Sequence, residues 1–239
     1  MSVGFRIYLR VERPKSETVS KITLAAVANI ADAMHGMGVM DSGIRPIYSP
    51  MRRIGGIAIT VDLTPGDGLM LRKAIELAEE GDVVVANAHG CTERATLGGN
   101  VCISADHKRL AGIIVDGAVR DADEAREINF PVMARALSPR SGTTGAGWGE
   151  VNIPIACGGV AVYPGDIIVG DHEGIVVVPG NYADEVLELL RDIEEKKGRP
   201  EDLTSRVKAA RDAPIHGIES VNKATEERRA SVIDGPFKR

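Results

Sequence analysis

Short runs of branched apolar residues alternate along the chain with stretches of helical spacing. Residues 55–63 (GGIAITVDL), 82–88 (DVVVANA), 112–119 (GIIVDGAV) and 131–137 (PVMARAL) are nearly continuous in small and branched apolar side chains. Runs this short and this rich in β-branched residues predict strands buried on both faces. Between them lie residues 68–80 (GLMLRKAIELAEE), an amphipathic helical pattern closed by Gly81, then residues 100–110 and a short helix over 121–128. Strand–helix–strand alternation of this kind predicts a largely parallel sheet with helices packed on it.

The pattern differs at both ends. Residues 3–12 (VGFRIYLRVE) alternate apolar and charged positions, which predicts a half-buried strand or an arm laid on a neighbouring subunit. Residues 20–34 have the spacing of one helix, broken by Gly36 and Gly38. Beyond residue 138 a Gly/Ser-rich loop leads into residues 151–179, where strand follows strand. The turns fall at Gly158-Gly159, Pro164-Gly165-Asp166 and His172-Glu173-Gly174. No helix fits between them, so this is a β-meander, which argues against a (β/α)8 barrel, since that fold alternates throughout. Residues 181–197 predict a further helix, and the polar remainder predicts a helical arm or a partly disordered tail. The expected organisation is an N-terminal strand or arm (1–19), a single α/β domain (20–197) and a polar C-terminal arm or tail (198–239).

Composition narrows the function. A net charge of −5 and 3% aromatic residues leave neither a basic stripe nor stacking platforms for nucleic acid. No stretch approaches the roughly 20 apolar residues that span a bilayer, and charges interrupt the first fifteen residues, so a cytoplasmic protein without a membrane partner is the expectation. Three cysteines, Cys91, Cys102 and Cys157, give an odd count without CxxC spacing, which indicates neither a disulfide framework nor a zinc ribbon. The glycines of 145-GAGWG-149 have the wrong spacing and position for a dinucleotide loop. His89 and Cys91 are too few for zinc and read as loop residues. Asp166 and Asp171 read as turn residues.

The stretch 112-GIIVDGAVRDADE-124 carries the candidate chemistry. A cation and an anion, Arg120 and Asp121, stand where a buried strand leaves the sheet. The local reading is a helix cap, with Asp121 as N-cap and Glu124 completing a capping box. The wider reading adds 96-TLGGN-100, whose glycines let backbone N–H groups approach an anion closely. A glycine nest, a fixed cation and a hard carboxylate make a site for a small keto acid with Mg²⁺ or Mn²⁺.

At this point the chain resembles the class II 4-hydroxy-4-methyl-2-oxoglutarate (pyruvate) aldolases and their RraA-like relatives, the latter named for a regulator of ribonuclease E activity. That family carries Gly-X20-Arg-Asp-X2-Glu/Asp. Here twenty residues separate Gly99 from Arg120, Asp121 follows, and Glu124 comes after Ala122-Asp123. Ala31-Asp32-Ala33, Gly56-Ile57-Ala58, Gly81-Asp82-Val83 and PGDIIVGDHEGIVVVP extend the resemblance over roughly residues 20–190. It implies a β/β/α swivelling-type α/β domain, a mixed sheet with flanking helices plus the C-terminal β-meander. It further implies a homotrimer or homohexamer with active sites at subunit interfaces. By the same carry-over Asp121 would hold the divalent metal, with Glu124 supporting its water shell. Arg120 would contact the keto oxygen, and the backbone N–H groups of Val101 and Cys102, next to Gly99, would receive the substrate carboxylate. The implied function is a metal-dependent carbon–carbon lyase acting on a small 2-oxo acid through a pyruvate enolate. The alternative is a non-catalytic, RraA-like protein-binding regulator.

One position departs from the pattern. The aldolases usually place Asp after the motif glycine, where it handles the water that shuttles the hydroxyl proton; here it is Asn100. An amide can orient a water but cannot take its proton. Retro-aldol cleavage needs that deprotonation, whereas decarboxylation of a β-keto acid such as oxaloacetate does not. The substitution therefore bears on the aldol step more than on the metal site.

Overall fold

The computed structural model describes residues 4–143, 145, 147–197 and 218–227. The chain divides into two compact units, Met1–Ile193 and Glu194–Arg239.

In the first unit an eight-stranded mixed sheet has β2 (Ile54–Leu63) at its centre. Beside it, in parallel, lie β3 (Val83–Ala95), β4 (Gly112–Val119) and β5 (Val132–Leu137); β1 (Arg45–Pro46) closes that edge antiparallel to β5. On the other side the first residues of β2 pair antiparallel with β9 (Ile167–Gly170), which pairs with β10 (Ile175–Val178). The last residues of β2 pair with β6 (Gly149–Val151). The remaining strands, β7 (Ile155–Cys157) and β8 (Val160–Val162), form a separate hairpin. Its two-residue turn is Gly158-Gly159 with both φ angles positive, the conformation a tight hairpin requires and glycine supplies. The expected meander is thus three pairings: β6 on β2, the β7–β8 hairpin, and β9–β10 added to the main sheet.

Three apolar clusters hold these layers. Helix α3 (Leu69–Leu77) seats Met70, Leu71, Ala74 and Ile75 against β2, β3 and β4, together with Val101, Cys102 and Ala105 of α4 (Gly99–His107) and Ala125 of α5 (Ala122–Glu127). The opposite face of the sheet packs Val83, Val85 and Ile114 on Cys157 and Val162 of the hairpin. Outside β9 and β10 lie α1 (Ser16–Leu24), α2 (Val27–Ala33) and α6 (Ala183–Lys197), through Ile22, Ile30, Val186 and Leu190. Asp116, buried in β4, is held by the Arg135 guanidinium and by the Gly158 N–H (2.7 Å), and Arg135 also reaches Asp41 (2.9 Å), tying the sheet to the hairpin turn. In the second unit α7 (Ile218–Glu227) is a helix; residues 198–217 and 228–239 lie outside the described residues. No helix among the described residues is long and apolar enough to cross a membrane.

Four expectations from periodicity are corrected. The helix over 20–34 is two helices, because Ala25 and Ala26 are extended (ψ 147° and 137°); Arg53 donates to the Leu24 (3.2 Å) and Ala25 carbonyls, satisfying the orphan acceptors that α1 leaves there. Helix α3 stops at Leu77, and Gly81 sits beyond it in a left-handed turn leading into β3. Strand β3 does not end at residue 88: after a bulge at His89 and Gly90, both with positive φ, it resumes pairing with β4 at Cys91 and Ala95. The alternating N-terminus forms no strand. It runs beside β6 through the Ile7–Val151 bridge, with Phe5 42%, Ile7 37% and Leu9 73% exposed, while Val11 packs partly buried against the core.

That N-terminal segment is anchored by charge. Arg6 pairs with Glu150 through two of its guanidinium nitrogens, Nε to Oε1 and Nη2 to Oε2 (2.9 Å), and the Gly4 N–H donates to Oε1 (3.2 Å). Chiefly through its hydrogen bond, Arg6 holds the Glu150 carboxyl below its ordinary value of 4.5. A carboxyl depressed in the folded state contributes stability that is complete above the unfolded value and is lost as pH falls through the folded one. Glu150→Gln is therefore expected to lower the urea midpoint at neutral pH. The gap to wild type should narrow as pH falls below 4.5, and denaturation series across that range would read it.

Candidate active site at the ends of strands β3 and β4

Because β3 and β4 run parallel in register, the segments that follow them leave the sheet at the same end. After β3 come Thr96, Leu97 and Gly98, then α4, which opens at Gly99; after β4 come Arg120 and Asp121, then α5. Two backbone hydrogen bonds clamp these exits, Thr96 N–H to the Ala118 carbonyl (2.8 Å) and Arg120 N–H to the Leu97 carbonyl (3.0 Å). Carboxyl ends of parallel strands are where open α/β sheets place ligands.

Asp121 has φ 59° and ψ 43°, a left-handed conformation that among non-glycine residues Asp and Asn tolerate best. Its carboxylate makes no cap bond to α5. Instead Oδ2 accepts the N–H of Gly99, at 3.0 Å, the first residue of α4. The capping-box expectation is thus corrected: Asp121 satisfies an orphan amide of α4, the helix that follows the neighbouring strand. A side chain at either glycine would displace the carboxylate that lies over it. A Cβ on Gly98 would meet Asp121 Oδ2 at 2.3 Å and Arg120 Nε at 3.1 Å; one on Gly99 would meet Glu124 Oε2 at 1.7 Å.

Arg120 Nε stands 3.4 Å from Asp121 Oδ2, with roughly a third of each side chain exposed. The pair borders an open cavity of about 540 Å³ lined by Arg120, Asp121, Ala122, Asp123, Glu124, Leu137, Ser138 and Pro139. The structure therefore brings Gly99, Arg120, Asp121 and Glu124 together. Asn100 does not line this cavity; its residue borders a separate groove between α3 and α4, with Arg72, Ile75 and Ile103. The amides of Val101 and Cys102, expected to be open to a carboxylate, both donate to the Gly98 carbonyl (2.9 and 3.3 Å), as the start of a helix requires. The first-turn N–H without an acceptor among the described residues is that of Asn100. The wall formed by Leu137, Ser138 and Pro139 was missed from sequence. The available signal was that these residues end β5, the next parallel strand.

Cys102, buried in α4 beside the site, is not placed to act as its nucleophile. Burial first, and the Asp121 and Glu124 carboxylates second, push the Cys102 thiol up to about 12, so it stays protonated. His89 Nε2 lies 3.2 Å from Asp62 Oδ1 on the bulge, and no cluster of three metal-ligating side chains occurs among the described residues. Asp166 accepts the Tyr163 (2.8 Å) and Gly180 (3.0 Å) N–H groups, and Asp171 that of Glu173 (2.8 Å), the turn roles expected of them.

A mixed sheet with flanking helices is an α/β architecture that solved RraA proteins share. Streptomyces coelicolor RraAS2, described as an unusual member of the RNase ES inhibitor RraA family, superposes with a TM-score of 0.69 at 29% identity, covering 79% of this chain and 97% of that one. The RNA-processing inhibitor RraA from Thermus thermophilus gives 0.58 at 30% identity over 65% and 93%. The family model described as RraA-like, Aldolase/RraA, matches residues 27–177, and the chain belongs to that family. A Halalkalibacterium halodurans protein named as a candidate 4-hydroxy-4-methyl-2-oxoglutarate aldolase is 35% identical over 191 residues, 78% of this chain and 90% of its own length.

Proposed function

We propose that this chain is a divalent-metal-dependent carbon–carbon lyase acting on a small 2-oxo acid, of the oxaloacetate decarboxylase or 4-hydroxy-4-methyl-2-oxoglutarate aldolase type. The observation that carries the reading is Asp121, left-handed and seated on the first amide of α4 beside Arg120 at the rim of a cavity.

The residues fit a hard divalent cation. The donors are carboxylate oxygens only, which suits Mg²⁺ or Mn²⁺ rather than zinc. Oδ2 of Asp121 is engaged by Gly99, which fixes the carboxylate and leaves Oδ1 without a partner among the described residues. Asp121 would hold the ion directly or through water, and Glu124 would hold its water shell; an ion with so few protein ligands keeps several waters, as Mg²⁺ does. Bound there, it supplies Lewis acidity toward a keto oxygen.

The protein's own part is positioning and charge. Arg120 is a permanent cation facing the oxygen that becomes negative, and its place is set by the Arg120–Leu97 backbone bond and the room left by Gly98. The open first-turn amide of Asn100, with the α4 dipole, favours the substrate carboxylate. The Asn100 side chain cannot take a hydroxyl proton and borders the groove between α3 and α4 rather than this cavity, so it offers the aldol step no general base and β-decarboxylation is retained in preference.

The reading is tested by pyruvate release from oxaloacetate and from 4-hydroxy-4-methyl-2-oxoglutarate with Mg²⁺, with Mn²⁺ and with EDTA. Release with neither metal would favour the second reading, a non-catalytic protein-binding regulator, which the likeness to RraA structures supports. A cytoplasmic homotrimer or hexamer belongs to the proposal. The outward apolar residues Phe5, Ile7 and Leu9, with Trp148 stacked edge-on against Phe5 at 5.4 Å, form a surface that assembly would cover. Light scattering on the purified protein would read its mass.

A further inference from the structure

The strand ends that place Arg120 belong to a longer row. Strands β2 and β3 also pair in parallel, from Ala58–Val83 to Asp62–Asn87, so α3 and α4 begin at the same end of the sheet as the Arg120–Asp121 exit. Helix α4 packs between α3 and α5. Arg72 is the fourth residue of α3 and Asn100 the second of α4, and both line the groove of about 600 Å³ between these helices. Ile75 and Val101, each at most 5% exposed, line it too. Arg72 thus stands beside the first turn of α4, where the Asn100 N–H is open. Helix α3 itself gives no reason for a cation here. Close to the positive end of its dipole a guanidinium is opposed rather than held. Glu76, spaced at i,i+4 to pair with Arg72, is engaged by Lys73 instead (2.9 Å). Arg72 is exposed, and among the described residues no carboxylate pairs with it.

We propose that Arg72 is a substrate-binding residue, its guanidinium taking the C1 carboxylate of the 2-oxo acid together with the Asn100 N–H, from the flank of α4 away from Arg120. The proposal rests on the lyase reading and names a further residue of the same site. A single backbone amide is a neutral donor. A guanidinium adds full charge and a planar fork that matches both carboxylate oxygens. The placement follows from strand pairing within one chain, so it holds whatever a neighbouring subunit adds to the site.

The two arginines then have separable duties. The C1 carboxylate carries the same charge before, during and after the carbon–carbon bond breaks. A group that holds it binds ground state and transition state alike, so Arg72 sets KM and leaves kcat alone. Arg120 faces the keto oxygen, which gains charge in the step, so its contribution is to kcat.

Arg72→Met removes the charge and keeps most of the stem. In steady-state kinetics on oxaloacetate with Mg²⁺ it is expected to raise KM by about tenfold or more, the scale of a hydrogen bond to a charged group, with kcat within about twofold of wild type. Calorimetric titration of pyruvate, which has the C1 carboxylate and keto group but no second carboxylate, should weaken by the same factor. Arg72→Lys should fall between. Lys108→Gln removes a cation from the far end of the groove, about 12 Å along α4 from Asn100, and should leave KM unchanged. Since Arg72 is exposed, its variants should melt with wild type. An unchanged KM in Arg72→Met, a lowered kcat at constant KM, or an equal rise in Lys108→Gln would overturn the proposal. So would a raised KM for oxaloacetate with unaltered pyruvate affinity, which would put the guanidinium on the far carboxylate. A wild-type protein that binds pyruvate through Arg72 without turning over any 2-oxo acid would defeat the lyase reading alone, and one that does neither would defeat both.

Discussion

Replacing Asp121 with asparagine is expected to remove metal-dependent pyruvate release, lowering kcat/KM for oxaloacetate by at least about 10²-fold, the scale of losing one preorganised electrostatic group. The substitution isolates charge. Asparagine tolerates the left-handed backbone as aspartate does, and its amide oxygen can still accept the Gly99 N–H. What disappears is the formal charge and the hard anionic donor. Stability should change by no more than about 1 kcal/mol, since the side chain is partly exposed and one neutral hydrogen bond replaces a charged one. Asp121→Ala should lose the same activity and also stability, because alanine in a left-handed conformation costs about 1–2 kcal/mol and leaves the Gly99 amide without its acceptor. A thermal melt beside the activity assay separates the two. Full activity in Asp121→Asn would reduce Asp121 to a structural tie between two strand exits.

The second large effect is expected from Gly98→Ala, which adds one carbon and no charge. Gly98 has φ −147° and ψ −168°, extended backbone open to any residue, so the substitution carries no conformational penalty. Its Cβ would nevertheless fall 2.3 Å from Asp121 Oδ2. The carboxylate must move, and the Gly99 hydrogen bond that fixes it must lengthen or break. Displacements near 1 Å in a catalytic constellation cost about 10²-fold, and a loss of that size in kcat is expected. The melting temperature should fall little, since the site is half-open and the apolar core is untouched. Weaker Mn²⁺ binding, followed by electron paramagnetic resonance, would show the loss arising at Asp121. Unimpaired activity would mean that the carboxylate can be carried elsewhere without loss of function.

Much of the fold was legible along the chain. Continuous branched runs located β2, β4 and β5 to within a residue or so, because strands buried on both faces admit little else. The motif spacing marked Gly99, Arg120, Asp121 and Glu124 as one set, and the two glycines before α4 could be read as backbone brought close to an anion. Residues 20–34 show where periodicity failed: good helix formers continue through Ala25 and Ala26, but Arg53, remote in sequence, takes the carbonyls at which the helix stops. The alternation of residues 3–12 failed for another reason. A period of two says that a segment has two faces, and only its neighbours decide which face is covered.

What the sequence determined by itself was the order of the elements and the identity of the charged groups at their ends, since both follow from side-chain chemistry and local spacing. What only the tertiary structure decided was which of those groups meet. Asp121 is spaced to cap the helix it precedes, yet its left-handed backbone and the parallel pairing of β3 with β4 turn its carboxylate onto Gly99, twenty-two residues earlier. The cavity's second side exists only because β5 lies beside β4, which brings Leu137, Ser138 and Pro139 opposite Arg120. Hydrogen bonds across strand exits depend on sheet register, a property of pairs of segments that no single stretch of sequence contains.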